Sequence, residues 1–388
     1  MEFNLDEQQR QIREAALALC ARFDEHYWLE HDNSGEFPED FCQALADAGF
    51  VGIAVPEEYG GSGLGLTEAA LVLQAVSESG AANSGVSAIG IGLFGAKPII
   101  LYGSDAQKEA WLPRLVKRED VACFGVTEPS TGHDTTRLKT RAVRNGDHYL
   151  VHGEKVWIST AQEANKIMLI ARTTPLEQTK RPMDGLSLFY TVLDRRHVEI
   201  REIHKMGRAC VDSNQIFFDG LPVPVEHRIG EEGKGFRYLL AGLNAERVLV
   251  AAGLVGLGRA ALKRAVDYAN TRVVFDRPIG MNQAIQHPLA KNWMELEAAN
   301  LMAFKAASMY DRNEECGAEA NSAKYLAAEA AFSTCTNAVM THGGMGYAKE
   351  YHVERYLREV LIHRIAPISP ALMLCYIAER VLGLPKSY

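Results

Sequence analysis

Phe124-Gly125-Val126-Thr127-Glu128-Pro129-Ser130-Thr131-Gly132-His133-Asp134 is the stretch on which the fold of this chain is decided, together with Lys155-Val156-Trp157-Ile158-Ser159 further along. Both lie in residues 121–228, where apolar and polar residues alternate and β-branched residues and turns are frequent. Glu128 and Asp134 read as structural, capping or turn residues. Arg141-Ala142-Val143-Arg144 and His148-Tyr149-Leu150-Val151 flank Asn145-Gly146, a strong hairpin signal. Further strands are predicted over 166–171, 186–193 and 215–218, and Pro222 and Pro224 mark the end of the region. Several short strands separated by turns predict a small β-sandwich or barrel.

On either side the periodicity turns helical. Asp6 and Gln9 have the spacing of a capping box, after which Ile12, Ala16, Leu19 and Phe23 recur at helical intervals. A second helix is predicted between Pro38 and Gly49, with Phe41, Leu45 and Ala48 on its apolar face. Val55-Pro56-Glu57-Glu58-Tyr59-Gly60-Gly61-Ser62-Gly63-Leu64-Gly65 is glycine-rich. Its spacing is not a Walker A and the lysine is missing, so a tight connection between helices is expected. From residue 229 long Ala- and Leu-rich segments predict an antiparallel bundle. Gly256-Leu257-Gly258 lies within a helical run, and no strand precedes Gly343-Gly344-Met345-Gly346-Tyr347, so neither is a Rossmann fingerprint. The fold class is α+β. A helical domain over 1–120 and a β domain over 121–228 are followed by a helical bundle over 229–388.

The 388 residues suffice for several well-buried cores. A net charge of −8 without a long basic run argues against nucleic acid as a partner. Met1-Glu2-Phe3-Asn4-Leu5-Asp6 is acidic and has no apolar h-region, so no secretory signal is expected. No uninterrupted apolar run reads as long enough to span a bilayer, and no membrane partner is expected. The 7 cysteines are odd in number and contain no C-x-x-C pair. That argues for a reducing compartment, the cytoplasm, and against disulfides and a zinc site.

Further stretches complete the pattern: Arg272-Val273-Val274-Phe275 with Gln283, the glycine turn at Gly343-Gly344, and Val353-Glu354-Arg355 with Arg358. With the two opening segments they resemble the acyl-CoA dehydrogenase family over nearly the whole chain. The resemblance implies a helical domain, a β domain and a C-terminal four-helix bundle. It implies FAD as cofactor, an acyl-CoA as substrate, an electron-transferring flavoprotein as acceptor, and a homo-oligomer, tetramer or dimer. It implies that Phe124, Val126, Thr127, Gly132 and His133, then Trp157, Ile158 and Ser159, line the flavin, with Trp157 beside the ring and the Ser159 hydroxyl near N5. His133 stands where Ser is usual, close to the pyrophosphate or thioester. Arg272, Phe275 and Gln283 are implied to hold the dinucleotide of a neighbouring subunit, Gly343 and Gly344 to let the backbone approach the dinucleotide closely, and Ser369 to be a further cofactor contact. Arginine suits phosphate because its planar fork binds oxygens in pairs.

One family position does not match. Relatives often carry the catalytic carboxylate in a Glu-Gly-Thr segment, and this chain has Ile365-Ala366-Pro367-Ile368-Ser369-Pro370 there. Proline also lacks the N–H that relatives use to hold the thioester oxygen. A second location known in the family, used by isovaleryl- and long-chain-type enzymes, falls on Glu246, with Arg247 beside it facing substrate. The residues point the same way, since Glu246-Arg247 is a charge pair within the apolar stretch Leu243–Gly253. A buried charge is costly unless paired or functional, and burial raises a carboxyl toward neutrality, as a general base needs. The competing reading is a structural ion pair. His287 reads as a satisfied core histidine, and Cys123 as buried and inert. The expected reaction is α,β-dehydrogenation of an acyl-CoA to a trans-2-enoyl-CoA. The rivals are a flavin monooxygenase or oxidase on the same fold and a non-catalytic binding protein.

Overall fold

The computed structural model describes residues 4–387, the side chains at 91, 92 and 94 apart. Residues 1–3, part of the acidic N-terminus read above, lie outside them. Helix α1 (Glu7–Cys20) starts at the reciprocal capping box of Asp6 and Gln9. It is followed by α2 (Glu25–Ser34) and by α3 (Glu39–Asp47), which opens at Pro38 and stops before Gly49. Gly49 has a φ of +80°, the left-handed geometry that glycine adopts freely. The glycine-rich loop leads into α4 (Leu66–Val76). The N-terminus of α4 is already occupied: Leu66 N and Thr67 N donate to the Asp311 carboxylate at 2.7 and 3.0 Å. This loop therefore joins helices, and a carboxylate from the bundle takes the place a phosphate would need. A π-turn (Ser77–Ala81) containing Gly80 at φ +107° separates α4 from α5 (Ala82–Gly95). Helices α6 (Lys97–Tyr102) and α7 (Asp105–Val116) close the domain.

The β domain holds β1 (Ala122–Gly125), β2 (Arg141–Asn145), β3 (His148–Ser159), β4 (Lys166–Arg172), β5 (Leu186–Val192), β6 (Val198–Glu202), β7 (Ser213–Pro224) and β8 (Arg228–Ile229). Hydrogen bonding links them in the order β6-β7-β3-β2-β4-β5-β8, with β1 parallel to β4. The predicted hairpin forms, Asn145 pairing with His148. β2 meets β4 at one register pair, Arg141 with Arg172, and the sheet folds over on itself there. Tyr149, Val151 and Ile216 of one half pack against Ile167, Leu169 and Phe189 of the other, which is the layered core expected of a sandwich. Pro222 and Pro224 close β7, opposite Leu150 and His148, near the end of the region as expected. β6 covers β7 only as far as Phe218, so both prolines sit on an open edge where no donor is required.

The bundle is built on α8 (Gly235–Thr271), α9 (Gln283–Asp311) and α10 (Gly317–His342), completed by the short helices α11 (Val353–Val360) and α12 (Pro370–Tyr376). By length and hydropathy α8 could cross a bilayer, although Glu246-Arg247 interrupt its apolar run, and most of its apolar window is buried inside the protein. It is the central helix. A Cβ at Gly256 would lie 2.3 Å from Gln74 O, and one at Gly258 would lie 2.4 Å from Leu296 Cδ2. Both glycines thus serve close packing against α4 and α9. Val86 of α5 touches the Gly253 turn of α8, 3.4 Å from where a Cβ would stand. This contact brings the N-terminal domain onto the part of α8 that carries Glu246.

Candidate active site

Val126 and Thr127 leave the end of β1, and Val156 N donates to Thr127 O at 2.9 Å, so the two segments quoted at the outset lie side by side. Beneath them Lys155, fully buried, donates from Nζ to Val126 O and to Glu128 Oε1, each at 2.9 Å. Glu128 also accepts from Lys139 N at 2.7 Å and Thr140 N at 2.9 Å. Burial works to raise its pKa, but Lys155 and these donors hold it below the ordinary carboxylate value. Burial lowers Lys155 to about 8. Glu128 is a structural anchor, as expected, and Asp134 pairs with Arg137.

Above this anchor Trp157 is 58% exposed, with a φ of +61° that a tryptophan rarely adopts. Ser159 is partly exposed, while Ile158 between them is turned into the sandwich core. Ile158 can therefore offer a cofactor only its backbone, a correction that follows from the period of two along a strand. Gly132 and His133 are exposed nearby. An uncovered indole and hydroxyl beside two partly buried backbone segments fit the edge of an isoalloxazine.

A second group gathers at the far end of the bundle. Arg272 follows α8, Gln283 opens α9, and Gly343, at φ +59°, follows α10. A cleft of about 480 Å³ lined by Tyr268, Thr271 and His342 lies at the same end. Phe275 is 93% exposed, and nothing stands within 4 Å of a Cβ built on Gly343 or Gly344. Arg272 forms no ion pair among the described residues. His287 is exposed on α9 beside Gln286, not a core histidine, because the helical period carries it to the outer face. Ser369 caps α12, accepting from Leu372 N at 3.4 Å, so the cofactor role expected of it competes with a helix cap. Cys123 is fully buried, and burial pushes its thiol up to about 12.

Glu246 sits on α8, partly buried, with no hydrogen bond or ion pair among the described residues. Burial raises its pKa to about 7, against the opposing pull of Arg247 and Lys324. Arg247 does not pair with it; Nη1 donates instead to Asn244 Oδ1 at 2.8 Å. Neither Arg247 nor a cation of a neighbouring helix forms an ion pair with Glu246 among the described residues, although Arg247 and Lys324 both attract its charge. Lys324 of α10 was not singled out from the sequence. It is fully buried and donates to His363 O at 2.6 Å and Ile368 O at 3.0 Å. It ties the segment around Pro367 to the bundle while its charge faces Glu246. The signal available was a lone lysine within the alanine run of residues 320–331.

The acyl-CoA dehydrogenase N-terminal domain matches residues 6–119, the middle domain residues 123–221 and the C-terminal domain residues 233–382. The chain belongs to the acyl-CoA dehydrogenase family. Its sequence is 35% identical over 384 residues to acyl-CoA dehydrogenase FadE12 of Mycobacterium tuberculosis, covering 98% of each chain. A glutaryl-coenzyme A dehydrogenase in complex with glutaryl-CoA superposes with a TM-score of 0.92 at 31% identity, covering 100% of this chain and 98% of the other. Butyryl-CoA dehydrogenase from Megasphaera elsdenii gives 0.91 at 30% identity, covering 98% and 100%. This acyl-CoA dehydrogenase family member carries on α8 a carboxylate without a partner among the described residues, and has no carboxylate in the segment 365–370.

Proposed function

We propose that the protein is an FAD-dependent acyl-CoA dehydrogenase in which Glu246 removes the α-proton of an acyl-CoA thioester, yielding a trans-2-enoyl-CoA. The observation that carries this is the Glu246 carboxyl group, which has no hydrogen-bond or ion-pair partner among the described residues and stands on α8 beside the buried Ala245, Val248 and Leu249; burial raises its pKa to about 7. FAD, when bound, supplies the acceptor for the hydride that leaves the β-carbon. Val126 and Thr127 would offer backbone groups to the ring edge, and Ser159 a hydroxyl and Trp157 an exposed indole from the neighbouring segment. Glu246 accepts the proton on a carboxylate oxygen, and the low polarity around α8 keeps water from competing for it.

The separation of the two cofactor groups supports an oligomer. Glu246 and Arg272 lie on one helix and its end, and at 1.5 Å per residue they are roughly 40 Å apart. The family resemblance assigns the Arg272–Gln283 group at that end to the dinucleotide of a neighbouring subunit, and its distance from Glu246 agrees with that reading. An electron-transferring flavoprotein as acceptor rests on the family resemblance.

The test is a panel of straight and branched acyl-CoAs assayed with an artificial electron acceptor between pH 5 and 9. Because Glu246 must be ionised to act, kcat/KM should rise with pH and level off above about 7. A profile flat across that range, or no turnover with any acyl-CoA, overturns the proposal. Arg272→Ala should lose FAD on gel filtration while the wild type keeps it, since the phosphates would lose their paired donor. Equal retention would remove Arg272 from the cofactor site.

A further inference from the structure

Two cations act on Glu246: Arg247 on its own helix and Lys324 on α10. Arg247 is turned to Asn244, and its other ionisable neighbours are Tyr376 of α12 and Cys316. Helix α5 brings no ionisable side chain to α8. Lys324 is there because α10 packs along α8. Ala320, one turn before Lys324 on the same face, belongs to the buried group that holds Ala245, Val248 and Leu249. Ala327, the next residue on that face, belongs to the group that holds Ala251 and Leu254. Lys324 therefore enters the interface between these levels, and its charge and that of Glu246 act on each other.

The hydrogen bonds of Lys324 do not explain its charge. Nζ donates to His363 O at 2.6 Å and to Ile368 O at 3.0 Å, the two carbonyls that bracket Pro367. An ammonium group has three donors, and the third has no acceptor among the described residues. Both acceptors are neutral, and burial keeps the His363 ring neutral as well. Glu329 attracts Lys324 but is bound to Arg364 Nε at 2.9 Å. A neutral amide could serve two carbonyls, whereas a buried cation is costly unless a charge answers it. Burial, helped by Arg247, lowers Lys324 to about 8, so it is still a cation at neutral pH. The carboxylate that can answer it is Glu246 in its ionised form.

We propose that Lys324 is a positioning residue of the dehydrogenation, fixing the segment 363–368 on α10 and supplying the positive charge against which Glu246 exists as an anion before it takes the α-proton. This rests on the reading of Glu246 as the base. In low-polarity surroundings an opposite charge lowers the cost of ionising a carboxyl group. No proton passes to or from Lys324. Glu246 becomes neutral when it accepts the α-proton, and Lys324 keeps its charge throughout.

Lys324→Gln and Lys324→Met test the assignment on the FAD-loaded enzyme with butyryl-CoA and isovaleryl-CoA. Gln keeps an amide donor for the carbonyls and Met keeps only the length; both remove the charge. In both, the midpoint of the kcat/KM profile should move up by roughly one pH unit. The loss is then roughly 10-fold at pH 6 and small at pH 9, a pattern that a loosened segment alone does not give. A second readout needs no turnover. At pH 8 the gain in melting temperature from Glu246→Gln should be larger in the Lys324→Gln background than in the wild type, because the ionised Glu246 has lost its counter-charge. An unmoved midpoint in both variants, a shift in Lys324→Met alone, or equal melting gains in the two backgrounds overturns the role of Lys324 and leaves the base assignment standing. Near-normal turnover by Glu246→Gln overturns the base assignment instead. If neither thioester is turned over, the melting comparison alone decides on Lys324.

Discussion

Glu246→Gln should keep the fold and the cofactor and lose roughly 10²- to 10⁴-fold in turnover, the usual contribution of a positioned general base. Glutamine has the same shape and cannot accept the proton. The same substitution carries a stability signature that a merely structural glutamate would not give. Burial raises the folded pKa of Glu246 to about 7, well above its ordinary value of 4.5. Between those values the folded state holds a proton that the unfolded state has released, so stability falls as pH rises through this window and levels off above it. The Gln variant has no such proton to lose. Its melting temperature should exceed the wild-type value at pH 8, and the difference should vanish near pH 4.5. Near-normal dye reduction by the variant, or a difference in melting that does not change with pH, would falsify the assignment.

Much of this site was legible in the sequence, for identifiable reasons. The Asn145-Gly146 hairpin, the Asp6–Gln9 capping box and the Pro38–Gly49 helix are local signals, and local signals survive folding. Glu246 was legible because a charge within an apolar helix is conspicuous wherever the helix packs. Register and facing are not local. Ile158 reads as part of the flavin segment, but the alternation along β3 turns it inward between Trp157 and Ser159. His287 sits on an apolar helix and still faces outward. Lys324 stands alone in an alanine run, but only the folded chain shows that it holds His363 O and Ile368 O.

Glu128→Ala should be the most damaging substitution outside the bundle, costing on the order of 3–5 kcal/mol. Lys155 is fully buried, and Glu128 is the carboxylate it pairs with. Without it the ammonium group is left in a low-polarity interior, and its pKa should fall further below the value of about 8 that burial already imposes. Lys139 N and Thr140 N lose their acceptor in the same step. The damage reaches function because Lys155 also holds Val126 O, the backbone on which the flavin edge is expected to rest. Combining Glu128→Leu with Lys155→Met removes both charges, and it should recover most of the stability, since a buried pair replaced by apolar groups is often neutral. It should not recover cofactor binding, because Val126 O still lacks its donor and the loop is untethered. Melting curves and the FAD fraction after gel filtration separate the two effects. If Glu128→Ala melts within a degree of wild type, or if the double variant retains FAD as wild type does, the pair is not the support of the flavin shelf.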